Sequence, residues 1–109
     1  MTGLSRDEVL AWAERARLRR AEIVAGVTAG SISLAEVLAG RSDPLTGPIK
    51  VVVVAQAVPG VGKVAARRVL STHGLDGARL ADLDDQTCAA LIEAVEAAND
   101  SQPRRPTTR

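Results

Sequence analysis

The chain of 109 residues is very poor in aromatic side chains. It contains no Phe, no Tyr and a single Trp, Trp12. Single-strand-binding domains and RRM-like modules stack bases on several aromatic rings. We therefore do not expect this chain to recognise unpaired bases by stacking.

Cysteine and histidine each occur once, as Cys88 and His73. One cysteine excludes an internal disulfide framework and cannot form a zinc site alone. A lone histidine likewise gives little support to a catalytic triad. We expect no metal, no cofactor and no small-molecule substrate, with Cys88 acting as a small buried hydrophobic residue.

Long apolar runs are also missing. The longest candidate, residues 49–57, is interrupted by Lys50 and Gln56, whereas a membrane-spanning helix needs about 20 apolar residues. Arg6, Asp7 and Glu8 near the start argue against a signal peptide. We expect a cytoplasmic protein without a membrane partner.

The net charge is only +1, but it is unevenly distributed. Residues 50–72 contain four basic residues and no acidic one, whereas residues 73–100 contain seven acidic residues and one base, Arg79. A basic stretch without acids is typical of a surface that contacts nucleic acid. The acidic segment contains Asp84, which we expect to cap the last helix.

The pattern predicts an all-α protein. Two Ser-x-x-Glu capping boxes, at Ser5–Glu8 and Ser33–Glu36, mark the starts of two helices. Glycine and turn signals mark helix ends, His73-Gly74 among them. The predicted helices are residues 5–25, 34–39, 50–57, 62–73 and 85–98.

The first helix has an apolar stripe and several arginines. Arg20 falls inside the stripe and needs either a partner or an exit to solvent. Arg15 and Arg19 are four residues apart and repel each other on an isolated helix. Either a phosphate lies between them, or Glu22 neutralises Arg19. The stripe consists of Val9, Trp12, Ala13, Ala16, Ile23, Val24 and Val27.

Residues 58–70 give the most specific functional signal. Pro59-Gly60 indicates a tight turn, and Gly62-Lys63 opens a helix. The first amides of a helix lack intrahelical partners and lie at the positive end of its dipole, so they attract phosphate. An ordinary Pro-Gly turn before an amphipathic helix is the alternative, but Lys63, Arg67 and Arg68 opposite the apolar face favour phosphate binding.

Two related glycine motifs do not fit this segment. A P-loop requires a first glycine at position 57 and a hydroxyl residue after the Gly-Lys pair. Ala57 and Val64 occupy those positions, so nucleotide hydrolysis is unsupported. The partial dinucleotide-binding match around Gly60 lacks the acidic residue that should follow about 20 positions later.

The string Val58-Pro59-Gly60-Val61-Gly62-Lys63-Val64, with the later Gly74-Leu75 and Arg79-Leu80, resembles the helix–two-turn–helix module of the actinobacterial integration host factors. A small-subunit ribosomal protein and the formamidopyrimidine-type DNA glycosylases contain a similar module. The likeness covers about residues 4–98. It implies an N-terminal helical region in residues 1–48 and a compact module in residues 49–98. Residues 100–109 contain two prolines and three arginines, so we predict a disordered basic tail in residues 99–109.

The resemblance also bears on Val51–Val54. β-Branched runs favour a strand by propensity. The resemblance implies a helix instead, and no other segment offers a strand partner for the backbone groups. We therefore predict a helix.

The sequence departs from the family in the second turn. Family members have several arginines there in an Arg-Arg-x-Arg-Gly-like string, and here only Arg79 remains among acidic residues. Each missing phosphate contact weakens DNA binding and flattens its salt dependence. These features describe a divergent member of the family.

The resemblance implies a non-enzymatic, nucleoid-associated protein that binds duplex DNA through its backbone with little sequence specificity. A protein-interaction adaptor that uses the acidic C-terminal helix is the alternative. A glycosylase activity is not expected, because those enzymes use an N-terminal proline nucleophile and this chain starts Met1-Thr2-Gly3. The predicted phosphate contacts are Gly60, Gly62, Lys63, Arg67, Arg68 and Arg79, flanked by Arg15, Arg19 and Lys50.

Overall fold

The computed structural model describes residues 5–101, and the side chains of residues 5–99. Within this range there is no β-strand, only one isolated bridge between Lys50 and Arg79, so the all-α prediction is confirmed. No helix in it has the length and apolarity needed to cross a membrane. The helices are α1 (Arg6–Ala29), α2 (Leu34–Ala39), α3 (Val51–Ala55), α4 (Gly62–Thr72) and α5 (Asp85–Ser101), with a short 3₁₀ turn at Leu80–Asp82.

Both predicted capping boxes are present. The Ser5 hydroxyl accepts the Glu8 N–H at 3.1 Å, and Glu8 accepts the Ser5 N–H at 2.8 Å. Ser33 and Glu36 form the same pair of bonds at the start of α2. These reciprocal bonds satisfy amides that a helix start otherwise leaves unpaired, which is why the local sequence predicts both boundaries.

The helix ends differ slightly from the prediction. α1 continues four residues beyond residue 25 and stops at Gly30, whose φ of +81° is left-handed. α4 stops at His73, followed by Gly74 with a φ of +70°, as predicted. α5 reaches Ser101, three residues beyond the end predicted at residue 98. Residues 102–109, most of the predicted tail, lie outside the described residues.

The core lies between α3, α4 and α5, with α2 and the end of α1 packed around them. Val51 and Val54 are fully buried, because residues three positions apart lie on the same face of a helix. The helix prediction for the valine run is thus confirmed, and burial outweighs its strand propensity. The largest fully buried side chains are Leu38, Leu70, Leu80, Leu91, Val27, Val51, Val54 and Val95.

The predicted apolar stripe of α1 is buried only near the C-terminal end of the helix. Ile23 and Val27 are buried, whereas Val9 is 49% and Trp12 39% exposed. The apolar stripe therefore reaches the core only in the second half of α1. At 1.5 Å per residue, 24 helical residues span about 36 Å, and α1 packs mainly against the five-residue α3.

Cys88 lies on the inner face of α5 with Leu91 and Val95, as predicted. Burial raises the pKa of its thiol. The thiol therefore stays protonated at neutral pH, and the thiolate is the form that reacts as a nucleophile.

Candidate nucleic-acid interface

The turn before α4 depends on two glycines in left-handed conformations. Gly60 has a φ of +86° and Gly62 a φ of +79°, a region that other L-residues enter only with strain. Val61 between them is buried and anchors the turn in the core. Both glycines are exposed, Gly60 just before α4 and Gly62 as its first residue.

The two glycines differ in their surroundings. A Cβ added at Gly62 would have no heavy atom within 4 Å, so the space above the start of α4 is open. A Cβ at Gly60 would lie 2.1 Å from the Asn99 Oδ1 atom of α5. Gly60 therefore lets the turn approach α5, whereas Gly62 leaves room for a ligand.

The first turn of α4 contains no acidic residue, and its N-cap, Val61, provides no side-chain cap. The N-caps of α1 and α2 are serines whose hydroxyls accept backbone N–H groups. The dipole and the first amides of a helix favour an anion at this end. Of α1, α2 and α4, only α4 has no N-cap side chain whose oxygen accepts a backbone N–H.

Lys63, Arg67 and Arg68 project from α4 into solvent, opposite the buried Ala66 and Leu70. None of the three forms an ion pair with a side chain of residues 5–99. Lys63 and Arg67 are four residues apart and so lie on the same side of the helix. The structure brings the three predicted cations onto one exposed surface.

The second turn, residues 73–84, returns from α4 to the start of α3. Backbone hydrogen bonds of 2.9 and 3.0 Å tie it to the residues on either side of Lys50. Lys50 and Arg79 are consequently bridge partners, and Arg79 Nη1 donates to Pro48 O at 3.5 Å. The sequence contains no local signal for this pairing, since the two residues are far apart along the chain.

The two predicted phosphate-binding ends of the module are separated by the length of α4. Lys63 lies in the first turn and Thr72 in the last, about 14 Å apart at 1.5 Å per residue. The second turn with Arg79 follows Thr72. Lys63 and Arg79 thus lie in different elements of the module, the first turn of α4 and the segment that follows its last turn.

The acidic residues around Arg79 have structural partners. Asp82 accepts the Arg79 backbone N–H at 2.9 Å. Asp84 accepts the Thr87 N–H at 2.7 Å, and this bond is the main reason that the pKa of Asp84 lies below its ordinary value. The prediction that Asp84 caps the last helix is confirmed.

Arg41 is a structural cation that the sequence analysis did not identify. Its guanidinium donates to the carbonyl oxygens of Leu38 and Leu83, both at 2.8 Å, and to Asp85 at 2.5 Å. The bond to Asp85 raises the pKa of Arg41. These contacts connect the end of α2 to the start of α5, and their sequence separations of 42 and 44 residues give no local signal.

Arg15 and Arg19, the predicted flanking contacts, each have a partner within the protein. The Arg15 guanidinium lies 5.5 Å from the centre of the Trp12 ring, a cation–π distance. Arg19 lies 3.6 Å from Glu22 and 3.7 Å from Asp43. Of the two interpretations of Arg19, the structure therefore contains the one with Glu22.

Residues 27–95 match the S13-like H2TH (helix–two-turn–helix) domain family. The matched segment starts in the last turn of α1 and ends within α5, so it contains both turns and the three cations of α4. No curated protein and no solved structure gives a significant match to the chain. Since the match covers more than half of the chain, this protein belongs to the S13-like H2TH domain family.

Proposed function

We propose that this protein binds duplex DNA through its phosphate backbone, without catalysis and with little sequence preference. The observation that supports this most is the surface of α4, where Lys63, Arg67 and Arg68 are exposed and form no ion pair with the acidic side chains of residues 5–99. The H2TH domain is a nucleic-acid-binding type of fold, which gives these cations a natural anionic partner.

The geometry suggests how the contacts divide. The open space at Gly62 admits one phosphate to the first amides of α4, and Lys63 adds a full charge beside it. Arg67 and Arg68 face neighbouring phosphates, and Arg79 makes a separate backbone contact from the second turn, which follows the last residue of α4. Phosphate contacts position a protein on DNA but carry no base information, so weak sequence preference follows.

The resemblance to the actinobacterial integration host factors extends this proposal. We place the protein with them as a divergent relative that acts in the cytoplasm, at the nucleoid. Its single second-turn arginine, Arg79, gives it fewer backbone contacts than the family pattern. We therefore expect weaker binding and a smaller salt dependence than in a family member with the full set of arginines.

Duplex titrations at about 50 and 200 mM salt test the proposal. We count four cationic contacts, from Lys63, Arg67, Arg68 and Arg79. They predict that log affinity falls with log salt with a slope of about −3.6 or steeper. Lys63→Ala should reduce the magnitude of this slope by roughly 0.9 on every duplex sequence. Its melting temperature should not change, because an exposed first-turn side chain contributes little packing.

Arg6→Ala is the matched control, since it removes one positive charge from the exposed start of α1. It should bind like the wild type. Absence of wild-type binding at low salt, or affinity that is equal at the two salt concentrations, would contradict the proposal. Those results would instead favour the protein-interaction adaptor, with α5 as its contact surface.

A further inference from the structure

A groove of about 420 Å³ lies between the middle of α1 and the start of α3, and we call it the α1–α3 groove. Its cationic lining consists of Arg17 and Arg20 from α1, Lys50 from the start of α3, and Arg79 from the second turn. All its other lining side chains are apolar. Four cations and no carboxylate therefore surround one concave surface.

Three of these cations have no ion-pair partner in the described part of the chain. Arg20, Lys50 and Arg79 form no ion pair with a side chain of residues 5–99, whereas Arg17 is paired with Glu14. Like charges around a low-dielectric cleft repel one another and focus a positive potential into it. An anion in the groove would attract the surrounding cations and so offset their mutual repulsion.

The groove is continuous with the proposed DNA interface. Arg79, which the second turn contributes to that interface, also lines the groove, and its bridge partner Lys50 lies at the groove's edge. A second depression of about 440 Å³ shares Arg17 and Arg20 and is also free of acidic lining residues. The positive surface thus extends from the second turn along α1.

We infer that the α1–α3 groove binds phosphate groups of the same duplex that contacts α4, with Arg20 and Lys50 as the two added contacts. The inference rests on the proposed duplex binding. Of the three flanking contacts that the sequence predicts, it keeps Lys50 and replaces Arg15 and Arg19, which have partners within the protein, with Arg20, which forms no ion pair within residues 5–99. The groove contains no aromatic residue for base stacking, so the backbone of a duplex fits it better than an unpaired strand.

The salt dependence of duplex binding distinguishes the smaller interface from the larger one. Contacts from α4 and Arg79 alone give a slope of about −3.6, and two further contacts bring it to about −5.4. Wild-type affinity should then fall about 2,000-fold between 50 and 200 mM salt, against about 150-fold for the double variant Arg20→Gln, Lys50→Gln. The single variant Arg20→Gln should change the slope by about 0.9, whereas Arg6→Gln, with the same charge loss on the same helix, should not.

A crosslinking experiment locates the contact independently of affinity. Ala16 lines the groove, and the native Cys88 thiol is buried, so a photocrosslinker on Ala16→Cys reports mainly from the groove. It should crosslink to a saturating duplex. The control, Ala29→Cys, is exposed at the end of α1, about 20 Å from Ala16, and should crosslink much less.

The possible failures are distinguishable. If Lys63→Ala reduces the slope but the double variant binds like the wild type and Ala16→Cys does not crosslink, the groove is not part of the interface and only this inference fails. If the wild type does not bind duplex even at 50 mM salt, the inference and the proposed function both fail. Equal crosslinking from both positions also contradicts the groove contact.

Discussion

The two arginine-rich helices, α1 and α4, differ in what their side chains contact. In α4 the apolar residues Ala66 and Leu70 are buried, and the cations on the other side have no ion-pair partner among the side chains of residues 5–99. In the first half of α1 the apolar side chains are exposed, while Arg15 contacts a ring and Arg17 a carboxylate.

This difference bears on the proposed function, because the cations of the two helices are not equally available to a polyanion. A cation that already contacts an acid gains less from a phosphate, because it must first give up its partner. A cation without one gains the full interaction and releases the counterions of the DNA. The position of the acidic residues in space therefore decides which arginines are available.

The largest expected effect concerns side-chain packing, which the same Leu→Ala substitution tests once in α4 and once in α1. Leu70→Ala in α4 should lower the free energy of unfolding by about 2–5 kcal/mol, because Leu70 is 1% exposed and its truncation leaves a cavity. Leu18→Ala in α1 should change it by no more than about 0.5 kcal/mol, since Leu18 is 56% exposed. Urea denaturation measures both, and similar losses would show that α1 packs more closely than described.

The next effect tests the cation side with two matched triple variants. Replacing Lys63, Arg67 and Arg68 by Gln should reduce the magnitude of the salt slope by about 2.7, at roughly 0.9 for each contact. Replacing Arg6, Arg15 and Arg19 by Gln removes the same charge from α1 and should leave the slope nearly unchanged.

When the salt is raised from 50 to 200 mM, the affinity of the first variant should fall by a factor about 40 times smaller than the factor for the wild type. Fluorescence anisotropy with a labelled duplex measures both series. Equal slopes for the two triple variants would mean that net charge, and not the arrangement on α4, governs binding.

The smallest effect concerns the starts of the two helices. The hydrogen bond from the Ser5 backbone N–H is the main reason that the pKa of Glu8 in α1 is lowered, whereas α4 has no acid in its first turn. A lowered pKa means that the stabilisation is present above the unfolded value, about 4.3, and is lost as the pH falls through the folded value. Acid should therefore loosen the first turn of α1.

Glu8→Gln separates this carboxylate from all the others, because Gln also completes a capping box. Its helical circular dichroism should fall less than that of the wild type between about pH 5 and pH 2. The start of α4 offers no corresponding titration. A variant that loses as much helix as the wild type would show that Glu8 has no such role.

Much of the fold followed from signals within four residues. The Ser5–Glu8 and Ser33–Glu36 boxes predicted two helix starts, and His73-Gly74 predicted a helix end, because their hydrogen bonds join neighbours along the chain. The outward direction of Lys63 and Arg67 followed from helical periodicity alone. For the valine run 51–54, propensity pointed to a strand, and the family resemblance was needed to predict the helix.

The long-range partners of Arg19 and Arg41 required the tertiary structure. Arg19 contacts a residue 27 positions away and Arg41 one 44 positions away, and the α1–α3 groove joins residues from α1, α3 and the second turn. No local pattern contains such contacts. The sequence by itself thus determined where the helices begin and end and which α4 side chains face outward, since these depend on bonds of three or four residues. Only the tertiary structure decided the long-range partners of Arg19 and Arg41 and which half of α1 is buried, because both depend on segments that the fold brings together.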